Sequence, residues 1–176
     1  MAIIEAIATE YLEADVKSFE WTSIPSTYES LAISLTGRTT ASAQTSIIMQ
    51  FGTGGGAVDT GSNYYQVTRY SKGSSNSSTQ YGSTGFYLFY FLAPNISNSS
   101  SYSQLNMVIP DYANTNKNTT FQSNEGRADS NSTGQTVQAT GGVWDNTATI
   151  DRIKLECQTD NFVRGSEFTL YGIKSS

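Results

Sequence analysis

Thr149–Ile173, reading TIDRIKLECQTDNFVRGSEFTLYGI, is the stretch that decides how the chain folds. Ile153, Leu155 and Cys157 alternate with Arg152, Lys154 and Glu156, the period of two that gives a strand one buried and one wet face. Phe168 and Leu170 repeat the alternation against Glu167 and Thr169. Between the two runs, Asn161, Gly165 and Ser166 favour turns, so the stretch predicts an antiparallel hairpin that closes the domain. Gly172 reads as a bulge that re-aims Tyr171 and Ile173, because a glycine forfeits packing area in a strand unless the backbone needs it.

The same alternation recurs toward the N-terminus. Val16–Trp21 predicts a short strand, Pro25 a turn, and residues 30–40 a long strand in which Leu31, Ile33 and Leu35 face inward. Ile47, Met49 and Phe51 mark another, and Tyr64–Tyr70 resumes extended structure with Tyr65 and Val67 on one face. Residues 73–85 are rich in Ser, Asn and Gly and read as a surface loop. Residues 85–92, GFYLFYFL, form the most apolar run and predict a fully buried strand in the middle of the core. Leu105, Met107 and Ile109 alternate up to Pro110, and weaker strands follow at 119–122 and 135–139. Helix signals are nearly absent, and no repeat marks a propeller or solenoid. Many short strands between turn clusters predict an all-β, single-domain antiparallel sandwich of jelly-roll type over residues 16–176.

Residues 1–15 stand apart in this reading. AIIEAIATEYLE fits a helical stripe or a strand, and it is expected to be an N-terminal arm whose Ile3, Ile4 and Ile7 bury themselves on a partner or on the home domain.

Composition narrows the function. Charged residues make up 14% of the chain, against about 25% in average domains, so the surface is mostly neutral and polar. A net charge of −5 with scattered Lys and Arg argues against direct nucleic-acid binding. No run approaches membrane-spanning length and residues 1–16 show no secretory pattern, so synthesis in a cytoplasm is expected. The five Asn-x-Ser/Thr triplets, at Asn76, Asn95, Asn98, Asn118 and Asn131, then reflect composition rather than glycosylation. Cys157 is the sole cysteine and reads as a small core residue.

With no histidine, the commonest general base is missing and a Ser-His-Asp triad is excluded; with a single cysteine, so is a zinc site of the usual kind. Asp59-Thr60-Gly61 is similar to the catalytic loop of aspartic proteases, where two carboxylates share a proton, but no second such triplet exists and the segment reads as a turn. Gly52–Ala57, GTGGGA, has dinucleotide-loop spacing without a following helix pattern. Asp111, Asp145, Asp151 and Asp160 offer oxygen ligands without calcium-loop spacing, and they read as solvated carboxylates. No cofactor, metal or catalytic residue is therefore assigned. Tyr81, Tyr102 and Tyr112 lie near loops, where rings could stack on sugars.

Phe19–Leu35, Tyr112–Arg127, Trp144–Lys154 and Asn161–Ile173 together resemble a family of small virion proteins of tailed bacteriophages. Ser23-Ile24-Pro25 before a strand and the closing Gly165-Ser166-x-Phe168-x-Leu170-Tyr171-Gly172-Ile173 are the most specific marks, and the glycine-rich middle loops depart most. The resemblance implies a jelly-roll head decoration (cement) protein that binds the major capsid protein on the outside of the head, as a homotrimer, and is made in the host cytoplasm. Its alternative implication is a tail appendage that binds a host receptor or glycan. Ile3, Ile4 and Ile7 are the expected partner contacts.

Overall fold

The computed structural model describes residues 2–43, 45–72, 75–92, 101–127 and 135–175, with backbone alone at 89–92. All regular structure in them is strand: β1 (Ala2–Tyr11), β2 (Ser18–Trp21), β3 (Ser30–Gly37), β4 (Thr45–Gly52), β5 (Tyr64–Lys72), β6 (Ser75–Ser83), β7 (Phe86–Leu92), β8 (Ser103–Pro110), β9 (Thr119–Arg127), β10 (Thr136–Trp144), β11 (Arg152–Cys157) and β12 (Glu167–Ser175). They form an eight-stranded sheet in the order β1-β12-β3-β8-β9-β10-β5-β6 and a four-stranded sheet in the order β2-β11-β4-β7, with every pairing antiparallel.

The alternating side chains of the two sheets meet in one core, which makes the fold an antiparallel β-sandwich. Phe19 of β2 stacks on Phe168 of β12 with centroids 5.4 Å apart, and Phe51 of β4 meets Trp144 of β10 edge-on at 5.5 Å. Leu88, Leu155 and Leu170 are all buried, as their positions in alternating or continuous apolar runs require. Cys157 is buried too. Burial pushes its thiol pKa up, and the sulfur donates to Thr39 Oγ1 at 3.4 Å.

Four expectations need correction. The first concerns β11 and β12, which are strands but not a hairpin. β11 pairs with β2 and β4, whereas β12 lies between β1 and β3 in the other sheet. The connection crosses the sandwich, and Phe162 within it bridges to Val16 and Thr39 instead of forming a tight turn. Second, Gly172 is not a bulge. Its register runs unbroken from Glu5 to Leu31, and the irregularity lies in β1 between Ala6 and Ala8. The glycine is needed because the Tyr28 ring lies on it, and a Cβ there would fall 2.4 Å from ring carbons. Third, most of the expected 73–85 loop is the edge strand β6, invisible to hydrophobic alternation because SNSSTQYGS is polar and backbone pairing with β5 holds it. Fourth, β7 reaches the core through Phe86 and Leu88 but is not buried on both faces: Tyr87 between them is half-buried, and the strand is an edge of the smaller sheet.

Residues 2–11 likewise do not stand apart as an arm. They pair along β12 from Ala2↔Ser175 to Tyr11↔Glu167. Glu5 fastens them further: it accepts from the Tyr28 hydroxyl at 3.0 Å and ion-pairs with Lys174 at 3.0 Å, whose ammonium also sits 5.6 Å from the Tyr28 ring centre. Lys174 and Tyr28 hold the Glu5 carboxyl below its ordinary pKa, while Glu5 raises that of Tyr28. Ile7 packs against the core, Ile3 is half-buried, and Ile4 remains 65% exposed. Deleting Met1–Ala8 is thus expected to lower the melting temperature of the whole domain by uncovering one edge of β12. Unchanged thermal denaturation by circular dichroism would show that β1 adds nothing to the fold.

Candidate functional site

The Asp-Thr-Gly triplet lies in the β4–β5 connection, and the geometry there ties a knot. One Asp59 carboxylate oxygen accepts from Gly61 N at 2.7 Å; the other accepts from Asn63 Nδ2 at 2.8 Å and Trp144 Nε1 at 2.9 Å. Its backbone is fixed as well, with N donating to Phe51 O at 2.7 Å and O accepting from the Tyr64 hydroxyl at 2.9 Å. Burial pushes the carboxyl pKa up, but the hydrogen bonds from Asn63, Trp144 and Gly61 outweigh it and hold the group below its ordinary value. A proton-sharing dyad requires a second carboxylate and raises one pKa. Asp59 instead acts as an ionised acceptor joining the β4–β5 loop to β10.

Asp59→Asn is expected to cost about 1–3 kcal/mol at pH 7, since the amide NH2 that replaces one oxygen cannot accept, so at least one of the three bonds is lost and the charge that strengthens the others goes with it. A depressed folded pKa contributes stability above the unfolded value near 3.9 and loses it as pH falls through the folded value. Urea titrations should therefore find a constant gap between the two proteins above about pH 5 and a smaller gap at about pH 3. A gap that persists undiminished into acid would remove the carboxylate from this role.

The other sequence candidates scatter. Asp111 pairs with Lys117, Asp145 accepts from Asn118 Nδ2 at 2.6 Å, and Asp151 accepts from Gly55 N at 2.6 Å. Asp160 sits in a left-handed turn at φ 60°. Among the described residues, no three His, Cys, Asp or Glu side chains gather as a metal site would require. The GTGGGA segment folds back on itself through a Gly56 N to Thr53 O bond, and no helix follows to offer a phosphate its N-terminus. Asn95, Asn98 and Asn131 lie outside the described residues.

Of the three tyrosines named for stacking, Tyr112 is fully buried, and its hydroxyl donates to the Pro25 carbonyl. Tyr81 is half-buried with its ring 6.2 Å from that of Tyr87. Tyr102 lines a hollow, beside Gln104, Asn106 and Asn124.

The exposed face of the larger sheet is where the chemistry gathers. Register aligns the outward residues in rows across the strands. One row reads Thr169, Ser34, Asn106, Asn124, Ala139, Arg69 and Ser78; the next reads Tyr171, Ala32, Val108, Gln122, Gly141, Val67 and Gln80. Across β3, β8, β9, β10 and β5, Arg69 is the one formal charge among the outward positions. Tyr65, Val67, Val108 and Val137 on this face are between 45% and 68% exposed. Two features result: an apolar patch where Tyr65 and Val67 of β5 lie beside Val143, the partner of Tyr65 on β10, next to the polar edge β6, and a hollow of about 310 Å³ over β12, β3, β8 and β9. Neither was found by sequence reading, because each depends on the register that brings separate strands together.

Neither a protein-family model nor a curated protein matches this chain. Its own geometry therefore carries the functional reading.

Proposed function

We propose that this protein is a structural virion subunit of a tailed bacteriophage, a capsid decoration protein that binds the outside of the head and stabilises it. The observation that carries the reading is the strand order. With β5, β6, β9 and β10 set aside, the pairings left are β1-β12-β3-β8 facing β2-β11-β4-β7, so that successive strands alternate between sheets up to β4 and again from β7 to β12. We read this as a jelly roll with two hairpin-like additions that widen one sheet. Viral capsid and lectin domains use that architecture, and the step from fold to particle is an analogy reinforced by the sequence resemblance above.

The binding surface moves with the structure. Ile3 and Ile7 are half-buried on the home sheet, and of the three isoleucines Ile4 is the most exposed. We place the subunit contacts of a homotrimer on the patch of Tyr65, Val67 and Val143, the last directly opposite Tyr65 on β10, and on β6. That edge is nine residues long with no charge or proline, and such an edge presents unpaired backbone groups to another strand. Repeated contacts of this kind attach a decoration oligomer to a capsid lattice through effective concentration, without needing a deep pocket. The reading assigns no catalytic role to any residue.

Immunogold labelling of purified particles tests it. Label spread over the head lattice is the expected outcome; label confined to the tail overturns it in favour of the receptor- or glycan-binding appendage, and unlabelled particles overturn both. Sedimentation of Tyr65→Lys/Val67→Lys should find monomers where the parent protein is trimeric.

A further inference from the structure

We propose that the hollow over β3 is a binding site for a neutral oligosaccharide. The outward residues of β3 are Ser30, Ala32, Ser34 and Thr36, all small, while the neighbouring strands carry Tyr171 on one side and Asn106 and Val108 on the other. That difference in side-chain length sinks a groove along β3. Its volume of about 310 Å³ falls at the lower end of ligand clefts, on the order of 300 to 1,000 Å³. A second hollow of about 500 Å³ shares Asn106 and Asn124 with it, so the surface offers an extended path that suits a chain better than a single compact molecule.

The lining selects the ligand chemistry. The first hollow contains no charged side chain, so it offers nothing to attract an anion or a cation. Its polar groups are the amides of Asn106, Gln122 and Asn124 and the hydroxyl of Ser34. Asn106 and Asn124 stand directly opposite each other on β8 and β9, and their side-chain amides are not hydrogen-bonded to each other. Each amide carries both donors and an acceptor. A sugar's neighbouring hydroxyls also donate and accept, so this set matches them. Tyr171 and Val108 supply the apolar surface against which the C–H face of a pyranose ring packs. Glu125 and Arg127 beside the second hollow have their side chains buried, 4% and 6% exposed, and leave the path neutral.

The site is distinct from the apolar patch on β5 and β10 and does not depend on where the subunit sits on a particle. It is tested on the full-length protein by amide NMR titration with neutral hexasaccharides of glucose (α- and β-linked), mannose, galactose and N-acetylglucosamine, each up to roughly 20 mM, as weak shallow sites require. At least one sugar should give saturable shifts at Asn106, Gln122, Asn124 and Tyr171. Tyr171→Ala should weaken that binding about tenfold and Asn124→Ala about fivefold. Gln158→Ala, just past β11 of the smaller sheet, should bind as the parent does. Spectra of each variant establish that it is folded. Absence of saturable shifts with every sugar overturns the site, as does binding that both groove variants leave unchanged. Tighter binding of an acidic oligosaccharide, such as hexagalacturonate, overturns its neutrality. None of these outcomes bears on whether the protein decorates heads, which the labelling experiment decides.

Discussion

Replacing Trp144 by alanine is expected to destabilise the fold by about 3–5 kcal/mol, the usual range for a large buried aromatic. The indole is fully buried, meets Phe51 edge-on at 5.5 Å and lies over Tyr64 at 6.3 Å. It also donates the hydrogen bond that attaches β10 to Asp59. Two losses therefore combine, a cavity among aromatic rings and an ionised acceptor short of one donor. Trp144→Phe separates them, since it restores most of the ring contact but not the N–H. Its cost should be about 1–3 kcal/mol, and combining it with Asp59→Asn should cost less than the sum of the two. Equilibrium urea unfolding measures all of these. Full additivity would mean that the indole and carboxylate act separately, against the 2.9 Å contact between them.

Leu170→Ala should cost about 2–5 kcal/mol and lower the melting temperature by roughly 4 to 20 °C for a chain of this length. Leu170 is fully buried in β12, with Ile33 beside it on β3 and Ala8 on β1. Ladders on both sides fix its backbone, so the strand cannot shift to fill the space. Leu170→Met conserves volume and should stay below about 1.5 kcal/mol. A thermal scan that finds the alanine protein as stable as the parent would mean that the two sheets do not close over this position.

The strands were legible because a period of two in residues such as Ile153, Leu155 and Cys157 reflects one face meeting a core. Their partners were not, because pairing is a property of two segments and the alternation belongs to one. β11 and β12 are neighbours in sequence and separated in space for that reason. β6 escaped notice because its stability comes from backbone bonds that any residue but proline can make. The Asp59 triplet was visible as a motif, yet its role rests on Trp144, a residue 85 positions away. Similarly, β3's small outward residues can be read from the sequence, but the groove exists only because Asn106, Asn124 and Tyr171 fall beside them in register. Tyr112, by contrast, looked like a loop residue and is core, since its ring fills space that its polar neighbours cannot.

The place of β12 between β1 and β3 also sets the timing of folding. Among the described strands β1 pairs with β12 alone, so it must wait until β12 has been synthesised before its backbone groups can pair. Closing a contact such as Ala2↔Ser175 spends chain entropy early for a reward that comes late, and folding on the order of milliseconds to seconds is the usual result for such topologies. During translation, then, β1 emerges before the other eleven described strands and docks among the last. Until that moment the isoleucines of β1 lack their sheet partner, and a chaperone or a second nascent chain can compete with β12 for them.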